Sequence, residues 1–188
     1  MRPANAAIRP RGRHAVMTIC AIGALLAGTL LTARAAGLRV NETASMPRGL
    51  WRVIAADAPL RRGEIIAACP PDTRAIREAV VRGYIPAGAC PGGTVPLLKP
   101  VAAVAGDVVT VTPAGIAVDG RPVENTAPLG RDSAGRMLRS VPPGTYLVAG
   151  GEIWLLSGRD PRSFDSRYFG AVSVRNVQGV ARPLWVRG

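Results

Sequence analysis

From Ala15 to Ala33 the chain runs 19 residues without a charged side chain, directly after Arg9, Arg11, Arg13 and His14. As a helix rising 1.5 Å per residue this run is ~28 Å long, close to the ~30 Å hydrocarbon core of a bilayer. A basic flank stays in the cytoplasm. The sequence therefore implies an inner-membrane, single-pass chain with its main domain on the periplasmic side. A retained signal anchor and a secretory signal peptide cut after Ala35 or Ala36 both fit, since Ala33-Arg34-Ala35 has small residues at cleavage spacing. The run exceeds the about 7–15 apolar residues of a signal peptide, and Arg34 sits inside the cleavage site, which favours the anchor. The expected division is a basic cytoplasmic tail (1–14), a transmembrane segment (15–33) and an extracytoplasmic domain (38–188).

Within 38–188, turn residues dominate the pattern. The chain holds 22 Gly and 17 Pro and few aromatics, which favours short strands over a helical bundle. Strands are expected at 49–54, 65–68, 95–105, 108–112, 116–118, 144–148, 153–156, 168–174 and 179–186. Asp119-Gly120 marks a hairpin. One helix is expected, Thr73 to Arg82, with Ala75, Ile76, Ala79 and Val80 at helical spacing, Asp72 as cap and Gly83 as stop. The fold class is mainly β, a coiled antiparallel sheet or open barrel with one short helix, behind one N-terminal transmembrane helix.

Several chemistries drop out early. His14 is the only histidine and lies across the expected membrane from the domain. A Ser-His-Asp triad needs an imidazole beside its serine, and the lack of a histidine in the domain argues against a zinc site. No metal and no cofactor are expected. The net charge is +12, but beyond the N-terminal flank the basic residues are scattered and no nucleic-acid-binding motif accompanies them. No nucleic-acid partner is expected. Cys69 and Cys90, in loop-like surroundings, are expected to pair in an oxidising compartment. Cys20 lies in the apolar run.

Of the 24 basic side chains only Lys99 is a lysine, and it sits among Leu97, Leu98, Val101 and Ala102. Arginine stays protonated, whereas a desolvated lysine can become neutral. A neutral amine can serve as general base for a serine. If 97–101 is a strand, Leu97, Lys99 and Val101 share a face, so Lys99 either points at a core or snorkels from an edge. The candidate nucleophile is Ser45, in the constrained turn Thr43-Ala44-Ser45-Met46-Pro47-Arg48-Gly49. Eleven residues separate it from Ala33, which places it near the membrane and suits a membrane-tethered substrate.

Ser45-Met46-Pro47-x-Gly49 resembles the serine box of type I signal peptidases. Lys99 followed by Gly106-Asp107 resembles their lysine box, and Ser163-Phe164-Asp165-Ser166-Arg167-x-x-Gly170 their late box. The short chain and the wording of the late box look most like the TraF-type conjugative transfer peptidases of that superfamily. The resemblance implies Ser45 as acylating nucleophile and Lys99 as general base. It implies an oxyanion hole from the Ser45 N–H and the Thr43 hydroxyl, with Ser163 orienting the lysine and Asp165 supporting the site by pairing with Arg167. It implies a protein substrate, a pilin or other precursor with small residues before the cut, processed by hydrolysis or by cyclisation. Pro100, Val104-Ala105 and Gly158-Arg159-Asp160-Pro161-Arg162 depart from the full pattern. A general signal peptidase is the first alternative, and a non-catalytic anchored β-module of a secretion or pilus complex the second. A self-cleaving repressor fits poorly with an anchor and no DNA-binding segment.

Overall fold

The computed structural model describes residues 10–56 and 59–187. Helix α1 spans Pro10–Ala35. Its section His14–Ala35 is long and apolar enough to cross a membrane. Pro10 to His14 thus begin the helix, while residues 1–9 of the expected tail lie outside the described residues. The chain divides into two compact units at Leu38.

The second unit is mainly β. Its strands are β1 (Leu38–Asn41), β2 (Arg48–Ile54), β3 (Ile65–Ala68), β4 (Leu97–Ala103), β5 (Val108–Thr112), β6 (Gly115–Val118), β7 (Arg121–Val123), β8 (Gly144–Leu147), β9 (Glu152–Leu155), β10 (Val172–Ser173) and β11 (Val177–Arg187). One sheet has the order β1-β2-β11-β3-β4-β9-β10 and the other β7-β6-β5-β8. The larger sheet curls into an antiparallel half-barrel. Asp119 and Gly120, both at positive φ (47° and 74°), close the β6–β7 hairpin as a tight two-residue turn requires.

Strand β9 joins the two cores. Ile153 and Leu155 pack in one cluster with Ile66, Ile76 and Val101. Trp154 and Leu156, on the opposite face, pack in the other with Ala103, Val109 and Ile116. Each fully buried Ile or Leu contributes about 2 kcal/mol. This two-sided burial explains why residues 153–156 are apolar throughout. Cys69 and Cys90 form a disulfide with a Cα–Cα distance of 5.5 Å, which ties the segment carrying α2 (Arg74–Val81) back to the end of β3.

Three expectations are corrected. Thr73, not Asp72, caps α2, and its side chain accepts from the Ile76 N–H; Asp72 pairs with Arg77 instead. The stretch 168–174 is not one strand. Asp165 accepts from the Arg167 N–H and caps a second short helix, α3 (Ser166–Phe169), which ends at Gly170 with φ 77°. Only Val172–Ser173 is extended, and a 3₁₀ turn follows at Val174–Asn176. Among its described residues the domain therefore has two α-helices rather than one. An Asp side chain that captures an N–H two residues on competes with strand pairing, and here it wins.

Candidate active site

Ser45 lies in the loop between β1 and β2 and is 7% exposed. Two anchors hold this loop. Met46 packs with Trp51 and Ala181, against Leu98 and Ile65, and the Trp51 indole N–H donates to the Pro47 carbonyl at 3.1 Å. Gly49 has φ 136°, and a Cβ there would stand 2.2 Å from the Trp185 carbonyl oxygen of β11. The glycine of the serine motif is needed because two backbones meet. The Thr43 and Ser45 hydroxyls are 3.1 Å apart. Among the described residues the Ser45 N–H has no hydrogen-bond partner.

Lys99 lies on β4, where Lys99, Val101 and Ala103 form the buried face. The snorkelling alternative is not what forms, because Lys99 is 4% exposed. Its Nζ donates to Ser163 Oγ at 2.8 Å. Burial pulls the amine down from an ordinary 10.5 to about 8; Asp165 and Asp160 oppose the shift and Arg167 adds to it.

The two segments meet at the end of β9. Val101 pairs with Leu155, and the Leu156 N–H donates to the Pro100 carbonyl at 3.3 Å. The same register places Ser157 opposite Lys99. Ser157 is buried, and its hydroxyl donates to the Ser45 carbonyl. Lys99 and the Ser45 loop are thus held to neighbouring points of one strand extension. No hydrogen bond joins Lys99 to Ser45 among the described residues: Ser45 Oγ contacts Thr43 and Lys99 contacts Ser163. Such contacts are commonly loose without substrate.

Asp165 and Arg167 are fully buried and pair at 2.8 Å. Arg167 uses all five of its donors. They reach both Asp165 oxygens and the carbonyls of Asn125, Pro161 and Ser157. Asp165 Oδ2 also accepts the Ser157 N–H at 3.0 Å. The pair fixes both sides of Ser157, and through it the Ser45 loop. Among the described residues no cluster of His, Cys, Asp and Glu could hold a metal ion.

Two residues the motifs do not contain also shape this site. Ser157 carries no local signal. Asn41 does: Asn41-x-Thr43 is the pattern of an Asx turn, and the Thr43 N–H donates to Asn41 Oδ1 at 3.3 Å.

Residues 12–186 match the profile of the family described as signal peptidase, peptidase S26, and the chain belongs to that family. Among curated proteins, a "probable conjugal transfer protein TraF" of Sinorhizobium fredii is 38% identical over 176 residues, 94% of this chain and 92% of its own length. A plasmid transfer protein TraF of Escherichia coli is 38% identical over 169 residues, 87% of this chain and 94% of its own. Among solved structures, a signal peptidase I from Enterococcus faecalis is 20% identical with a TM-score of 0.38, covering 66% of this chain and 98% of that one.

Proposed function

We propose that this protein is a membrane-anchored serine endopeptidase in which Ser45 is the nucleophile and Lys99 the general base. The observation that carries the reading is the state of Lys99: buried, with its amine pulled down to about 8 and donating to Ser163. A neutral amine that donates one N–H to Ser163 keeps its lone pair for the serine proton. Ser45 Oγ attacks the scissile carbonyl carbon while Lys99 takes its proton. The Ser45 N–H and the Thr43 hydroxyl receive the oxyanion, an arrangement worth about 3 kcal/mol per donor in other acyl-transfer enzymes. The C–N bond breaks, the ammonium of Lys99 protonates the leaving amine, and water or the substrate's own amine resolves the ester. Ser163 orients Lys99; Asp165 and Arg167 support the loop.

The substrate is a secreted or membrane-bound precursor with small residues before the cut. Relatives named for conjugal and plasmid transfer point to a conjugative pilin. The anchor α1 keeps the enzyme in the inner membrane with Ser45 on the periplasmic side, where such precursors emerge. Intact mass spectrometry of a pilin precursor co-expressed with this protein or with Ser45→Ala tests the reading. A shortened pilin that depends on Ser45 supports it, and a mass lower by one further water assigns cyclisation. A precursor left whole while unrelated preproteins are cut assigns a general signal peptidase. No cleavage and no covalent labelling of Ser45 assigns a non-catalytic module.

A further inference from the structure

We propose that Asn41 is a positioning residue that sets the direction of the Thr43 hydroxyl and, through it, the proton of Ser45. The inference rests on the Ser45–Lys99 reading above. Asn41 ends β1 and is 9% exposed. Its Nδ2 shares its two protons among the carbonyls of Thr43 at 3.0 Å, Met46 at 3.0 Å and Pro47 at 3.1 Å. Its Oδ1 accepts the Thr43 N–H at 3.3 Å and the Thr43 hydroxyl at 2.8 Å. One side chain therefore organises the whole loop around Ser45.

These partners fix the amide. Carbonyl oxygens cannot donate, so three of them must face the NH₂ group, and a backbone N–H must face the oxygen. The Thr43 hydroxyl then has only one assignment: its single proton lies on Asn41 Oδ1. In the 3.1 Å contact between Thr43 Oγ1 and Ser45 Oγ, Thr43 has no proton left to give. Ser45 is the donor. The resting chain of protons runs from Ser45 to Thr43 to Asn41 and does not pass through Lys99.

Acylation reverses both directions. The Ser45 proton turns to Lys99, and the Thr43 proton leaves Asn41 for the oxyanion. Asn41 suits this exchange because it keeps the Thr43 N–H and the three carbonyls while the hydroxyl turns. A neutral amide also releases the hydroxyl more readily than a carboxylate would, since hydrogen bonds to charged acceptors are roughly twice as strong.

The test uses the full-length protein in detergent micelles and a fluorophosphonate as probe, with Ser45 phosphonylation followed by intact mass across pH. We expect Asn41→Ala and Asn41→Asp each to slow labelling about 10-fold or more. In a Thr43→Val background the same changes should cost about 3-fold less than in the wild-type protein, because the hydroxyl they steer is gone and only the loss of the three carbonyl contacts remains. The pH midpoint should stay at the wild-type value, since Lys99 keeps its surroundings. Asn41→Asp retains the oxygen facing Thr43 and carries the comparison if Asn41→Ala does not fold. Wild-type rates in both variants overturn the proposal. So do losses that multiply independently of Thr43, or a midpoint that moves with the rate, which is what a loosened loop would give. A wild-type protein that is not labelled at Ser45, or is labelled equally well with Lys99→Arg, overturns the Ser–Lys reading and this inference with it. Lys99-dependent labelling without coupling between Asn41 and Thr43 overturns this inference alone.

Discussion

Lys99 sets a conflict between stability and chemistry in a single side chain. Burial that lowers its amine from 10.5 to about 8 disfavours the protonated form by about 3 kcal/mol. The folded-state value lies below the unfolded one, so between pH 8 and 10.5 the unfolded chain holds a proton that the folded chain has shed. Stability from this group therefore rises with pH across that window, and the full penalty applies below it. Replacing Lys99 with methionine should raise the Tm at pH 7, with a gain that shrinks as pH climbs toward 10.5; calorimetry over that range measures it. Activity should follow the neutral amine, low at pH 6.5, half-maximal near 8 and approaching a plateau only above about 9, read from initial rates of precursor cleavage. Lys99→Arg should remove activity at every pH, because a guanidinium does not deprotonate, while circular dichroism shows the fold retained. The composition made this residue visible, as one lysine among arginines. Asn41 carries a local signal, its Asx-turn pattern with Thr43, but its bonds to the Met46 and Pro47 carbonyls form only in the folded loop, and Ser157 matters only once β9 lies against β4.

The elements around the site were legible to different degrees. Strand β9 was legible as a strand at 153–156, and its apolar residues on both faces match its burial between two cores. The β6–β7 hairpin was readable from Asp119-Gly120, whose backbone needs are local. The segment after Ser163 was misread from Tyr168 onward, because its aromatics suggest a strand while the decisive force is the Asp165 cap. Those aromatics instead stack across the helix start, with Phe164 and Tyr168 rings 4.9 Å apart. The Asp165–Arg167 pair is the support this segment cannot lose. Arg167→Met would leave the Asp165 carboxylate buried and unpaired, and we expect a loss of about 3–5 kcal/mol by urea denaturation. Arg167→Lys should recover little of it, since an ammonium cannot match a planar fork that reaches five acceptors.

At the scale of the whole molecule, the helix, the disulfide and the sheet order have different origins in the sequence. Helix α1 was visible as an uncharged run. The Cys69–Cys90 pair was expected because both cysteines lie beyond the apolar run, in loop-like surroundings. The sheet order was not legible: β11, the last strand, lies between β2 and β3, and nothing local marks a pairing across more than a hundred residues. Reduction of the disulfide, which spans 21 residues, should lower stability by about 3 kcal/mol, seen as a lower Tm with dithiothreitol and reproduced by Cys69→Ser with Cys90→Ser. The lone lysine also has a spectroscopic consequence. A chain with one lysine, grown on lysine carrying ¹³C at the ε carbon, places a single isotopic reporter at the buried amine. In a micelle-bound protein crowded with overlapping signals, that one methylene resonance would trace the protonation of Lys99 without chemical modification, and its displacement when a substrate analogue binds would register the arrival of a ligand beside it.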